Sequence, residues 1–476
     1  MKLNVARKEE PIFTHEGARA VKIDAERELQ RSVMACMLWE DSFYESGQDI
    51  AARIAALIPQ CRPEFCAAVA AHARWDMKLR HVPLLVVREM ARLPLHKGLV
   101  AKLLPDVIGR PDEITEFLAI YWREKRQPLS AQVKKGLAAA FRKFKEYDLA
   151  KYNRDGAVKL RDALFLSHAK PDGATVRYTK TERRGKTEYD LSEGEQLYKK
   201  LVDGTLETPD TWEVALSGGA DKKEAFTRLM AEKKLGALAF IRNLRNMEQA
   251  GVTKAAVAAY GATVNIERVL PFRFVAAARA CPQWEDIADS MLLRCTTQDR
   301  KISGKTVLIV DISGSMYGHG NISKRSDMTR VDAAGALAAI VREQCEDSRI
   351  YATAGNDAAR VHATAPMPPR RGMALVDVIA KRELASTLGG GGIFLAQCLE
   401  WVKAREHAAE RIIVITDEQD CDVKLNPDTA DAFGQRNYLI NISVEKNGIG
   451  YKHKWVHIDG WSEAVIEYIG ASETQE

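Results

Sequence analysis

Asp311, Ser313 and Ser315 stand two residues apart in Asp311-Ile312-Ser313-Gly314-Ser315, directly after the apolar run 306–310. One carboxylate and two hydroxyls at the end of a buried strand are hard oxygen donors, the type that a divalent cation such as magnesium takes. A second apolar run, 411–416, ends in Asp417. If the two runs are parallel strands of one sheet, both carboxylates meet at its carboxyl edge, where doubly wound sheets bind ligands. The alternative is that Asp311 and Asp417 only cap helices and order loops. Catalysis is not expected: Ser313 takes the place where a phospho-aspartyl enzyme would carry a second carboxylate, and the Gly389–Gly392 run lacks the Lys of a phosphate loop.

The elements that must position these residues follow from the texture after Lys305. Strand-like runs at 306–310, 349–354, 411–416 and 438–444 alternate with helical patterns at 330–345 and 394–404. Such alternation predicts an α/β parallel sheet covered on both faces. Residues from about 20 to 300 read differently, as a succession of amphipathic helices such as 48–58 and 64–74 with apolar positions every three or four residues. Pro63, Pro83, Pro94, Pro105, Pro111 and Pro128 are expected to mark helix starts. Stacked helical pairs of this kind form superhelices with extended surfaces, although no repeat of fixed period is present. The polar stretch 170–209, with Arg177, Lys180, Arg183, Arg184 and Lys186, is expected to be an exposed loop. Two domains result, 1–300 and 301–476, with the boundary between 296 and 303.

The chain of 476 residues carries a net charge of +5, but 301–476 holds 20 Lys and Arg against 24 Asp and Glu, leaving 50 against 41 in the first 300 residues. A basic first part suits a polyanion, most simply nucleic acid, or else is a solvated surface without a partner. No stretch approaches the roughly 18 apolar residues of a membrane span, and the first ten residues lack the apolar core of a secretory signal. The eight cysteines show no Cys-x-x-Cys pair, so buried thiols in a reducing, cytoplasmic setting are expected.

The strand-end motif resembles that of a von Willebrand factor A domain, in which an Asp-x-Ser-x-Ser loop, a Thr of a later Gly-Gly-Thr loop and a further Asp ring a magnesium ion. Here Gly392 stands where that family has the Thr, which removes one hydroxyl ligand; a water could replace it. The first part resembles the TROVE module of the Ro autoantigen family. The passages that carry this are 75–84 (Trp-Asp-Met-Lys-Leu-Arg-His-Val-Pro-Leu), 149–154, 160–171, 209–217, 235–247 and 268–274. The resemblance spans nearly the whole chain and is strongest to bacterial members. It implies an all-α, HEAT-like helical ring closed by a doubly wound, Rossmann-like A domain, and an RNA-binding protein rather than an enzyme. It further implies small noncoding Y RNAs on a basic outer face, single-stranded 3′ ends of misfolded RNA in a central hole, and an association with the exonuclease polynucleotide phosphorylase, with neither DNA nor membrane as partner.

Onto this sequence the family's RNA contacts carry over at Lys151, Arg154 and His168. Lys and Arg neutralise phosphates and an imidazole stacks on a base or donates to phosphate, so these residue types agree. Arg242, Arg245 and Arg273, set among Asn243, Asn246, Phe272 and Phe274, form a second group of candidates that could line a single-strand channel by charge and stacking. The bland alternative makes His168 structural, the Phe residues core and the Arg residues a solvated face. A competing function from another class is a cation-dependent protein-binding factor acting through Asp311, Ser313, Ser315 and Asp417.

Overall fold

A computed structural model describes residues 11–20, 22–34, 46–153, 156–171, 181–183, 186–188, 192–267, 269, 271–296, 301–317, 328–423, 434–443, 445, 448–449, 455–460, 469 and 473. The chain divides into two compact units, 54–219 and the pair of segments 1–53 and 220–476. The second is therefore interrupted in sequence by the first.

Unit 54–219 is helical. Helix Pro63–Trp75 packs on Val82–Arg92, which packs on Lys97–Val107, and the last lies against Ala131–Phe141. Small residues permit this closeness: a Cβ on Gly136 would stand 2.9 Å from that of Leu104. Pro63, Pro83 and Pro111 occupy the first turns of their helices, where the missing N–H has no intrahelical partner to lose. Pro105 does not start a helix but lies inside Lys97–Val107, close to its end. The expected loop at 170–209 is corrected in two places. Strands β1 (Thr181–Arg183) and β2 (Lys186–Glu188) pair as an antiparallel hairpin, and Glu193–Asp203 is a helix. That helix has its own signals: Ser192 and Glu195 form a capping box, and Gly204 ends it at φ +72°.

In the other unit, helices from Lys222–Ala231 to Glu285–Thr296 precede a six-stranded sheet of β3 (Ile302–Asp311), β4 (Cys345–Asn356), β5 (Val361–Pro366), β6 (Arg411–Thr416), β7 (Arg436–Asn441) and β8 (Val456–Asp459). The strand order is β5-β4-β3-β6-β7-β8, parallel throughout except for the antiparallel edge strand β5. Val307, Leu308, Ile309 and Val310 at the centre of β3 are fully buried, as strands covered on both faces require. The change from helix to sheet falls between Thr296 and Ile302, whereas compactness joins 220–296 to the sheet. At the amino edge of β6, Arg411 is buried and donates to Thr306 Oγ1 (2.8 Å) and to Glu473 Oε1 (2.6 Å), which also accepts from Tyr438 (3.0 Å).

The chain's first described residues also belong to the sheet unit. Thr14 Oγ1 donates to the Asp420 carbonyl (2.9 Å), the His15 amide to Gln419 Oε1 (2.9 Å), and Arg31, in helix Ala25–Met34, to Glu418 Oε2 (2.8 Å). The seven described cysteines are free thiols, all buried but the half-buried Cys295. Among the described residues no helix is long and apolar enough to cross a membrane.

Candidate nucleic-acid interface

Two places could bind a ligand, one in each unit. At the carboxyl edge of the sheet, Asp311 ends β3 fully buried; its Oδ1 accepts from the Ser313 amide (2.8 Å) and its Oδ2 from Thr416 Oγ1 (2.7 Å). The Ser313 and Ser315 hydroxyls are 3.2 Å apart. Asp417, just past β6, accepts from the Gln419 amide (3.1 Å), and its Oδ2 makes no hydrogen bond among the described residues. Asn441 at the end of β7 accepts from the Ser443 amide in the same way (3.0 Å). Three adjacent strands thus close with one kind of turn, and the Asp side chains of the two predicted motifs lie on neighbouring strands.

Burial pushes the Asp311 carboxyl up, and burial together with the Asp311 and Glu445 carboxylates pushes Asp417 up to about 7. The next residue, Glu418, has φ +60°, a left-handed conformation that costs about 1–2 kcal/mol outside glycine. Burial works against its ionisation, but Arg31 and His457 outweigh that and hold its carboxyl below the usual range. Surplus buried negative charge, an unpaired Asp417 oxygen and two close hydroxyls fit a divalent cation at Asp311, Ser313, Ser315 and Asp417 that keeps several waters. No group of three His, Cys, Asp or Glu that could hold a metal ion exists among the described residues.

Gly392 has a structural reason. A Cβ there would lie 1.9 Å from Cys421 Sγ, so a Thr hydroxyl has no room in this loop. Its amide donates to Asp357 (2.8 Å), and Gly389, at φ +94°, runs against the Gly355 carbonyl. The glycine run is fitted to the end of β4.

Unit 54–219 has two groups of basic and aromatic side chains. Lys151, half-buried in the last turn of helix Glu146–Tyr152, stands 5.8 Å from the rings of both Tyr147 and Tyr152, and Arg110 lies 4.7 Å over the latter. Tyr147 is 53 % exposed. His168 ends helix Leu160–Ser167 in the left-handed conformation (φ +53°), a position that turns its ring out to solvent, with Lys134 Nζ 3.4 Å from Nε2. Beside it opens a hollow of about 550 Å³ lined by Trp122, Arg126, Leu129, Lys134, Phe165 and His168, among others. Trp122 Nε1 donates to the Gln127 carbonyl (2.7 Å), Arg126 lies 5.2 Å over the indole, and Phe165 is 61 % exposed.

Lys151 and His168 therefore share one unit; Arg154 lies outside the described residues. Arg242, Arg245 and Arg273 belong to the other unit and are exposed. Phe272 and Phe274, however, are buried core residues, so neither ring is available to stack on a base. Asn243 is structural as well: it donates to the Ala239 carbonyl (2.8 Å) and accepts from Asn246 (2.8 Å) where two short helices meet. Sequence reading missed Trp122, Arg126, Lys134 and Phe165. Their only signal was an aromatic and a basic residue close together at each end of the hollow.

The TROVE domain family matches residues 203–298. No curated protein matches the chain. In three dimensions the chain is similar to the crystal structure of Deinococcus radiodurans Ro (Rsr) protein, at 16 % sequence identity and a TM-score of 0.55, over 94 % of this chain and 99 % of that one.

Proposed function

We propose, for a chain that matches the TROVE domain over residues 203–298 and has the fold of a bacterial Ro protein, that it is a noncoding-RNA-binding protein acting as a ribonucleoprotein scaffold. The observation that carries this reading is that unit 54–219 sets cations beside aromatic rings in two places, Lys151 against Tyr147 and Tyr152, and Arg126, Lys134 and His168 around the hollow with Trp122 and Phe165. Cations that neutralise phosphate, interleaved with rings on which bases stack, are the two components of single-strand and loop recognition. Small structured Y RNAs are the ligands that this reading favours, with roles in RNA quality control, processing or decay beside a 3′-to-5′ exonuclease such as polynucleotide phosphorylase. The protein holds and presents RNA and leaves the chemistry to its partner.

The test is fluorescence anisotropy of a labelled small hairpin RNA over a range of salt, with immunoprecipitation after ultraviolet crosslinking to identify the RNA held in cells. Lys151→Ala and His168→Ala should each weaken binding, and crosslinks should fall near those residues. Unchanged affinity in both variants would sink the reading. A second reading, a protein-binding factor that uses a magnesium ion at Asp311, Ser313, Ser315 and Asp417, is favoured by the unpaired Asp417 oxygen. It requires that a chelator abolish partner binding.

A further inference from the structure

The hollow between the end of helix Pro111–Tyr121 and helices Ala131–Phe141 and Leu160–Ser167 has features that the structural role of those helices does not require. Phe165 projects its ring to solvent rather than into the core, beside neighbours such as Leu164 that are buried. Trp122 is fixed by its hydrogen bond to Gln127, and the Arg126 guanidinium lies 5.2 Å over its ring, so a cation and an aromatic face already stand together at the hollow. Among the described residues no carboxylate lines the hollow, whereas Arg126, Lys134 and His168 all do. At about 550 Å³ it is within the usual range, about 300–1,000 Å³, for small-ligand pockets. It offers rings for a planar group and cations for the anion attached to it.

We propose that this hollow receives one unpaired nucleobase of a bound RNA, stacked against Phe165 and Trp122, with the adjoining phosphates held by Arg126 and Lys134. The inference rests on the RNA reading above and adds to it the class of nucleotide bound: an unpaired base, since a base inside a duplex has no free face to offer a ring. His168, exposed and 3.4 Å from Lys134, also lines the hollow. A paired stem can bind at Lys151 by its phosphates, while the pocket selects an RNA that also carries a loop or tail. An apolar peptide fits the hollow less well, because three basic side chains line it without a counter-charge.

The experiment uses the full chain and two RNAs of one sequence family: a hairpin with an unpaired tail carrying 2-aminopurine, and a fully paired duplex of equal charge. Phe165 is so exposed that its replacement leaves the fold intact. Phe165→Leu keeps apolar bulk and removes the aromatic face; Phe165→Tyr keeps the face. Stacking of one base predicts that Phe165→Leu weakens binding of the tailed RNA roughly ten- to a hundredfold and abolishes the change in 2-aminopurine fluorescence, with duplex binding unaltered. Phe165→Tyr should behave as wild type. If Phe165→Leu binds the tailed RNA as wild type does while Lys151→Ala still weakens it, the pocket assignment is wrong and the RNA reading stands. If the wild-type chain binds neither RNA in a salt-sensitive manner, both fall together.

Discussion

At the residue scale, the chemistry of the sheet's carboxyl edge was legible because it depends on local spacing. A run of apolar residues followed by Asp, Ser and Ser announced both strand and donors, and β6 repeated the announcement at Asp417. Thr416 and Glu445 were not legible, because their place beside Asp311 and Asp417 depends on strand order. Phe165 and Trp122 were hidden for another reason: an exposed aromatic on a helix has the same sequence pattern as a buried one. Gly392 read as a lost ligand, and the structure shows why the loss persists. Gly392→Thr should destabilise the protein by about 1–3 kcal/mol through overpacking against Cys421. Adding Cys421→Ala should restore most of that in urea denaturation; no restoration would mean that the contact is not the cause. Glu473 offers the pH test. Burial raises its carboxyl, but Arg411, Tyr438 and Arg436 outweigh that and hold it below the usual range. Its stabilisation is therefore full above the ordinary carboxylate pKa of about 4.3 and is lost as pH falls through the lower folded-state value. Glu473→Gln should cost about 3–5 kcal/mol at neutral pH, because it leaves the Arg411 charge buried without its partner, and the difference from wild type should shrink in acid.

At the scale of elements, the strands buried on both faces were read from their continuous apolar runs, and β3 and β6 were found within a few residues of their bounds. β5 was not, since Val361–Pro366 is half-exposed and alternates too weakly to register as a strand. The helix Glu193–Asp203 was overlooked inside a polar stretch although Ser192, Glu195 and Gly204 mark both its ends. What secures the helices beside the sheet to one another was invisible in sequence. Arg279 of helix Phe272–Ala280 donates to Asp332 (3.0 Å), in helix Arg330–Gln344, and to Asp377 (2.6 Å), in helix Gly372–Ala380. Arg279→Ala removes one cation from two carboxylates at once and should cost about 1–3 kcal/mol. Hydrogen exchange should quicken at the start of Arg330–Gln344, and exchange unaltered there would argue against a joint role.

At the scale of the whole molecule, charge is the coarse signal and it was fully legible: the first 300 residues are basic and the remainder mildly acidic. RNA binding should accordingly weaken steeply with salt, the logarithm of affinity falling in proportion to the logarithm of salt concentration. If Lys151 contacts a phosphate, Lys151→Ala should lower that slope by about one; an equal slope would assign Lys151 another role. Less legible was the division into compact units, because the pairing of 11–34 with residues near 420 leaves no trace in local sequence pattern. Thr14 and Asp420 are separated by 406 positions, yet one hydrogen bond joins them. On a ribosome adding about 5–20 residues per second, the partner of Thr14 emerges roughly 20–80 s after it. Throughout that interval the opening segment has no seat, whereas unit 54–219 is complete about halfway through it and free to fold. Synthesis thus finishes the inserted unit first and the unit that surrounds it in sequence last, which makes the strand-end crevice among the final features of the molecule to form.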